Sequence, residues 1–255
     1  MSVLQQILII CPFVFLASMV DAIAGGGGLI SLPAYCLAGL PAHLCLGCNK
    51  FSSCSGVLFS AGRFFRSGNI NLKAASIAAG TALVGSFLGA KLSLFLSDHM
   101  LRIAMLILLP AAAVFLFLRG RHPADSNTFD QLSRRRAILL SAAIGFAIGM
   151  YDGFFGPGSG TLLILAFTAI LGFDMKTACG NTKAVNLASN LAALVTFMAA
   201  GTVQYNLAVP AAACSIAGHW IGSGLAIRKG AKFIRPVMIL VLIFMFSKLV
   251  FDMIG

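Results

Sequence analysis

The sequence predicts an all-α polytopic membrane protein with two internal repeats, each of about four full transmembrane helices plus one short broken or re-entrant segment. Three observations lead to this prediction. The chain is 59% hydrophobic and only 10% charged, whereas soluble domains carry about 25% charged residues. Apolar stretches close to the length needed to cross a bilayer recur from end to end. Finally, the second half of the chain repeats the pattern of the first.

The repeat is visible when the chain is aligned with itself. At an offset of 133 residues, a match without gaps runs from about residue 37 to 102 and pairs Lys50 with Lys183. Two Asp–Gly motifs, at Asp21 and Asp152, align at an offset of 131. We therefore divide the chain into a first transmembrane repeat at 1–118, a basic cytoplasmic linker at 119–136 and a second transmembrane repeat at 137–255.

Each half contains five apolar segments in the same order. They span 3–22, 28–40, 42–62, 74–95 and 99–118 in the first half, and 137–152, 158–172, 175–200, 206–227 and 236–254 in the second. The first segment of each half has an aspartate at or next to its end, Asp21 or Asp152, and glycines follow within four residues. The second segment is short, because thirteen helical residues reach only about 20 Å against a hydrocarbon core of about 30 Å. It either crosses incompletely inside the protein or turns back as a re-entrant loop.

The distribution of positive charge favours crossing. If the short segments count as crossings, 13 of the 18 Lys and Arg residues fall in linkers on one side, which the positive-inside rule assigns to the cytoplasm. An odd number of crossings per half then makes the repeats inverted, a common plan of transporters that bind substrate between the halves. Re-entrant segments would make the repeats parallel and leave the charge pattern unexplained. The net charge of +11 thus encodes orientation, and we expect no nucleic-acid partner.

Asp21 and Asp152 are the candidate proton-coupling residues. A carboxylate in an apolar helix is costly unless it serves a site, and a buried carboxylate can titrate near neutral pH. The structural alternative is that each one accepts hydrogen bonds from backbone amides that the following glycines free from the helix.

The glycine tracts after both aspartates are candidate anion-binding segments. Exposed amides and the positive end of the following helix, which starts near Leu29 or Ser159, form a ready anion site. Neither tract has the Gly-Lys-Ser/Thr ending of a phosphate-binding loop. Close packing of helices through small residues is the alternative. The candidate substrate-binding residues here are Gly25, Gly26, Gly27, Gly28, Gly156, Gly158 and Ser159.

Lys50 and Lys183 are the candidate cations of the site, because each stands about 12 Å into its segment. A lysine there can bind an anion, or it can neutralise an aspartate. Polar neighbours complete this candidate set, namely Asn49 in the first half and Asn181 and Thr182 in the second. We interpret His219, beside Trp220, as a packing or interfacial residue. Since no catalytic triad, metal cluster or cofactor motif can be placed, we expect no enzyme, no metal and no cofactor.

Four stretches carry a resemblance to a known family: Asp21–Pro33, Leu46–Lys50, Gly149–Gly160 and Asn181–Lys183. They resemble the TauE/SafE family of sulfite and organosulfonate transporters, also called the 4-toluene sulfonate uptake permease family, and the chain is most similar to its YfcA-like branch. The resemblance implies a multi-pass protein of the bacterial inner membrane, with seven or eight crossings, that moves sulfur-containing anions.

From these features we expect a secondary transporter of small anions that works by alternating access, with sulfite or organosulfur acids (sulfonates) as substrates and possible coupling to protons. A passive anion channel and a non-transporting membrane partner or assembly protein are the alternatives. The expected partners are a small anionic substrate, the lipid bilayer and, in a homo-oligomer, further copies of the same chain.

Overall fold

The computed structural model describes residues 1–97, 99–101, 103, 107, 127–230, 232–234 and 236–237. These residues form helices joined by short turns and contain no strand, which confirms the predicted all-α class. Most of the predicted segments 99–118 and 236–254, and residues 119–126 of the linker 119–136, lie outside the described residues. The helices, numbered in chain order, are α1 Val3–Ala24, α2 Gly28–Leu37, α3 Ala42–Arg66, α4 Leu72–Phe95, α5 Arg134–Phe154, α6 Ser159–Ala169, α7 Met175–Ala199 and α8 Tyr205–Lys229.

Three of the described helices, α1, α4 and α5, are long and apolar enough to cross a membrane. The burial pattern of α4 is that of a helix in lipid. Its large side chains Val84, Phe87 and Leu88 are exposed, whereas the small residues Ala82 and Gly89 are buried against neighbouring helices. In a bilayer, close packing of backbones stabilises the association of helices, and large apolar side chains can face the lipid. The chain is therefore a multi-pass helical membrane protein.

Helix ends differ from the predicted segments by a few residues. Helix α5 begins at Arg134 instead of 137, so the last three residues assigned to the linker form the first helical turn. The charged turn extends the helix beyond its apolar stretch, because a helix need not end where its hydrophobicity ends. Asn71 caps α4 by accepting from the Ala74 amide at 3.1 Å. Asp174 caps α7 in the same way.

The second helix of each half is short, as predicted. Helices α2 and α6 contain 10 and 11 residues, so they span only about 15 Å each. Each follows a backbone break that a glycine in the left-handed region makes possible: Gly25, with φ +79°, ends α1, and Gly158, with φ +82°, precedes α6. The two breaks touch, since the Thr161 amide donates to the Gly25 carbonyl at 3.1 Å.

The contacts of the long helices fix their relative directions. The turn after α3 lies against the start of α7, where a side chain at Gly180 would overlap the Asn69 carbonyl. The turn after α7 lies against the start of α3, where a side chain at Gly47 would overlap the Thr202 carbonyl. Helices α3 and α7 therefore run antiparallel.

The outer pairs, α1 with α8 and α4 with α5, run parallel. Along α4, Gly85 lies on the Phe146 carbonyl and Gly89 on the Met150 carbonyl, so both chains advance in the same direction. Along α8, glycines 218 and 222 lie in the same way on the carbonyls of residues 15 and 19 of α1. Glycine thus allows the backbones of both pairs to approach closely.

Candidate functional site

Asp21 lies in the last turn of α1 and forms an ion pair with Lys183 of α7. The Lys183 ammonium is 2.9 Å from Asp21 Oδ2, and it also donates to the Asp21 backbone carbonyl. The lysine side chain is fully buried, whereas the aspartate side chain is 16% exposed. This pair therefore retains limited access from one side.

Asp152 lies in the last turn of α5 and forms an ion pair with Lys50 of α3. The two charged groups are 2.9 Å apart and both nearly fully buried. The Lys50 ammonium also donates to Asn190 Oδ1 at 2.9 Å. Together the two pairs contain all four of the predicted charged site residues.

The ion pairs are crossed between the halves. Asp21, from the first half, holds Lys183 of the second, and Asp152 of the second half holds Lys50 of the first. The sequence places one aspartate and one lysine in each half, but the structure pairs each with a partner more than one hundred residues away. The pairs thus join the two halves where the helices are broken.

Hydroxyl groups complete the environment of Asp152. Ser159 donates to its Oδ1 at 2.6 Å, and Ser189 donates to its Oδ2 at 2.6 Å. Ser86 of α4 in turn donates to the Ser189 backbone carbonyl at 2.5 Å. Ser159 is a predicted site residue, and the structure brings it to the carboxylate at the N-terminus of α6.

Asp21 has a different set of partners. Its Oδ1 accepts from the Gly27 amide at 3.3 Å, and its Oδ2 lies 3.2 Å from His219 Nε2. The Gly27 contact is the amide hydrogen bond of the structural alternative, and it coexists with the ion pair. His219 is buried at this site. Sequence reasoning did not connect it with Asp21, because this contact depends on the packing of α8 against α1.

The glycine tracts meet one another at the centre of the protein. Gly25 packs on the backbone of Gly160, and Gly28 packs on Pro157, so much of each tract serves close backbone contact. Gly156 differs, since a side chain there would meet the Lys50 ammonium at 3.2 Å. Gly26 is buried within its tract. Of the predicted glycines, Gly27 and Gly156 contact the ion pairs, and Gly158 starts the helix that presents Ser159.

The predicted asparagines hold helices in place. Asn49 accepts from Ser31 of α2 at 2.6 Å, and Asn181 accepts from the Asn71 amide at the start of α4 at 2.8 Å. Both are buried, and neither contacts the ammonium of the adjacent lysine through these bonds. The structure therefore places these two residues beside the ion pairs, not within them.

Helix α7 carries buried polar atoms that have no hydrogen-bond partner within the described part of the chain. They are Thr182 Oγ1, Asn186 Oδ1 and Asn181 Nδ2. Residues 182, 186 and 190 follow one another at a spacing of four, so they share a face, and Asn190 at its end contacts Lys50. Buried polar groups are nearly always satisfied by protein, water or ligand. Thr182 and Asn186 therefore carry buried acceptor atoms that the described side chains leave without a donor.

A comparison with protein-family models matches residues 10–249 to "Sulfite exporter TauE/SafE". The chain belongs to the TauE/SafE family. This confirms the resemblance on which the sequence interpretation relied, and the match includes both broken helices and both lysines. No solved structure is significantly similar to the chain.

Curated relatives of this TauE/SafE chain are similar along nearly their whole length. A "Probable membrane transporter protein" of Haemophilus influenzae is 33% identical over 238 residues, which cover 93% of this chain and 92% of the relative. The "Probable membrane transporter protein YfcA" of Escherichia coli is 31% identical over 237 residues, covering 93% and 87%. Both relatives are named as transporters and neither as an enzyme.

Proposed function

We propose that the chain is a secondary transporter of small anions, with sulfite or organosulfur acids such as sulfonates as substrates. The family description names sulfite, and the relatives are named as probable membrane transporters. The residues add a reason to expect an anion. The two buried ammonium groups are the charges that an anionic substrate can use, and each is next to a broken helix.

The crossed ion pairs carry this proposal. Removing one partner of a buried pair typically costs about 3–5 kcal/mol, because the other charge is left buried and uncompensated. Neither lysine can therefore leave its aspartate unless another anion replaces it. An anion that takes the place of the carboxylate at Lys50 or Lys183 releases this link without leaving the lysine uncompensated. Substrate binding then lowers the barrier for one half to move against the other, as alternating access requires.

The released carboxylate supplies a reason for proton coupling. When an anion occupies Lys183, Asp21 loses its main counter-charge. An ionised carboxylate without a partner is disfavoured by burial, so a proton compensates it. Anion and proton are then taken up together, and either gradient can drive the other.

The arrangement of helices supports an inverted repeat. Helices α3 and α7 occupy equivalent places in the two halves and run antiparallel, and their ends meet at equivalent glycines, 47 and 180. Parallel repeats would place these helices in the same direction. The short helices α2 and α6 then act as partial crossings that reverse the chain, with the substrate between the halves.

The helix directions also support a cytoplasmic location for the end of the bundle that carries most of the described arginines and lysines. The described arginines and lysines at residues 63, 66, 73, 134–136, 176, 228 and 229 lie at the end of the bundle where α3 ends and α7 begins. The positive-inside rule assigns that end to the cytoplasm. We therefore place the protein in a bacterial inner membrane with this end inside.

Uptake into proteoliposomes tests the function. We expect radiolabelled sulfite or taurine to accumulate above the external concentration when a proton gradient is imposed. Equilibration without accumulation would indicate a passive anion channel. The variant Lys183→Met/Asp21→Asn removes both charges of one pair and should abolish uptake while the protein stays folded. Lys91→Met is the matched control, because Lys91 is exposed over the Phe87 ring on α4 and should leave uptake unchanged.

A non-transporting membrane partner predicts a different result. Reconstituted protein would then show no flux of any anion above protein-free vesicles. The paired variant would also retain partner function in cells, since the ion pair would serve no transport step. That combination of results would replace the transporter proposal.

A further inference from the structure

We propose that His219 is the proton-accepting group of the transporter, and that the proton adds to its Nδ1 atom. This inference rests on the proposed function and names the proton site within it. The two ion pairs then differ. A proton is taken up next to the Asp21–Lys183 pair, at His219, and none is taken up at the Asp152–Lys50 pair.

The partners of the imidazole ring suit both of its charge states. Nε2 faces Asp21 Oδ2 at 3.2 Å, and an ionised carboxylate only accepts, so Nε2 carries a hydrogen. Nδ1 lies 3.1 Å from the Ser215 carbonyl and 3.4 Å from the Ser215 hydroxyl. The neutral ring accepts from the hydroxyl, and the charged ring donates to the carbonyl. The ring therefore keeps a hydrogen bond at Nδ1 whether or not the second proton is present.

A short chain of hydroxyls leads to Nδ1. Ser18 of α1 donates to the Ser215 hydroxyl at 2.8 Å, and the Ser215 hydroxyl faces the ring. Hydroxyl groups both donate and accept, so a proton can pass along this chain to the ring. Imidazole is also the side chain whose charge ordinarily changes between about pH 5 and 8.

The titratable groups around the ring come from three other helices. Asp21 of α1 contacts Nε2 directly, and Lys183 of α7 shares that carboxylate oxygen. Cys179, also on α7, lies against the α1 backbone at the carbonyls of residues 22 and 23. On α3, the Arg63 guanidinium stacks over the ring of Trp220, the residue next to His219. Among these titratable groups, Asp21 is thus the one that contacts the ring directly.

The equivalent positions around the Asp152–Lys50 pair lack these groups. At the offsets of the repeat, His219 corresponds to Ser86, Ser215 to Ala82 and Ser18 to Gly149. Gly149 packs directly on Ala82, with no polar group between them. The helix α3 position that faces the ring, Gly56, also differs between the two sites.

Gly56 leaves the space that His219 occupies, because a side chain there would overlap the ring and Ser215. Its equivalent in the second half is Ser189, whose hydroxyl donates to Asp152. The Asp21 site therefore contains an imidazole where the Asp152 site contains the hydroxyl of Ser189, and the two sites differ in chemistry although they occupy equivalent positions of the repeat.

Protonation of the ring changes what Lys183 can do. A charged His219 can compensate Asp21 without help from the lysine, which frees the Lys183 ammonium for an anion. Proton and anion then raise one another's affinity, since coupling between two sites is reciprocal. The Lys50 ammonium has no such substitute, so anion binding there is independent of pH in this range.

The protonation state of the ring can be measured directly by ring ¹⁵N NMR. The chain has four histidines, so the His219→Gln variant assigns the signal by difference. Between about pH 5.5 and 8, we expect Nε2 to stay protonated and Nδ1 to gain a proton as the pH falls. Ser215→Ala removes the donor to the neutral ring and should change the midpoint of this signal. Ser93→Ala, which removes a buried hydroxyl that donates within α4 to the Ala90 carbonyl, should leave it in place.

Proton uptake on anion binding gives the second measurement. Calorimetry with methanesulfonate, in buffers of different ionisation heat, should show proton uptake in the parent protein and in Ser93→Ala, and none in His219→Gln. An Nδ1 atom that does not titrate, or uptake that persists in His219→Gln, would overturn the inference and leave transport itself standing. If Nδ1 titrates as expected but no sulfonate binds, the proton site stands and the proposed substrate class is wrong.

Discussion

In the proposed transporter, each buried lysine has two alternative partners, the aspartate of the other half and an anion. The Lys50 and Asp152 side chains show why each charge needs a partner, because both are nearly excluded from solvent and lie 2.9 Å apart. The pair is stable while both charges are present. Loss of either charge leaves the other buried and uncompensated, which is the costly state.

A double-mutant cycle on Lys50 and Asp152 tests whether the stability contributions of the two charges are coupled. Lys50→Met alone should lower the stability by about 3–5 kcal/mol, because it strands the Asp152 carboxylate. Adding Asp152→Asn should restore most of that loss, since the amide remains a partner for Ser159 and Ser189. Thermal unfolding of the purified variants gives the comparison. Additive losses in the double variant would show that the two residues are not coupled.

At the level of residues, the sequence predicted the four charged groups but not their pairing. A carboxylate or ammonium in an apolar segment is recognisable by its cost, whichever fold surrounds it. The pairing of Asp21 with Lys183 depends on how α1 packs against α7, which no local pattern encodes. His219 was interpreted as packing for the same reason. Its mismatch with Ser86 in the repeat was the one available signal.

At the level of elements, the two helix breaks lie in contact, and their backbones approach one another closely. Gly25 ends α1 with φ +79°, and its Cα faces the backbone of Gly160 in the other break. The glycines were expected either to bind an anion through their amides or to pack closely. For Gly25 and Gly28 the packing explanation describes the observed contacts, whereas the Gly27 amide binds the carboxylate of Asp21.

The contact between the breaks can be tested with two glycines of similar conformation. Gly25→Ala should destabilise the protein more than Gly39→Ala. Both residues have a positive φ, so both changes carry about 1–2 kcal/mol of backbone strain. Gly39 has open space around it, whereas a methyl group at Gly25 overlaps backbone atoms. Thermal unfolding in detergent measures the difference. Equal losses would mean that the breaks are not in contact.

Helix existence and order were predictable because apolar length and glycine breaks are local signals. All eight described helices match a predicted segment, and the two short ones match in length class. The ends were less predictable. The start of α5 at Arg134 lies three residues before the expected 137, because charged residues continue the helix outside the apolar stretch.

At the scale of the whole molecule, the proposal requires the two halves to enter the membrane from opposite faces. The helix directions in the structure agree with the topology that the positive charges indicate. The sequence predicts the repeat through paired lysines and glycines. The inverted orientation of the two copies is a prediction that depends on the charge distribution alone.

Accessibility of single cysteines tests the inverted arrangement. Ser67→Cys and Ala200→Cys form a matched pair, because both residues are exposed at the C-terminal caps of α3 and α7. An impermeant maleimide should label residue 67 only from the cytoplasmic side and residue 200 only from the opposite side, with the parent chain as background. Labelling of both from the same side would contradict inverted repeats.

Thermal stabilisation of the purified protein by anions tests the central claim most directly, since a ligand raises stability by about 2.7 kcal/mol at a hundredfold excess over its Kd. We predict that sulfite, thiosulfate, taurine or sulfoacetate raises the unfolding temperature at constant ionic strength. The variant with both pairs neutralised, Lys50→Met/Asp152→Asn/Lys183→Met/Asp21→Asn, should not respond. If no anion stabilised the parent protein while a cation or a neutral solute did, the buried lysines would not be an anion site.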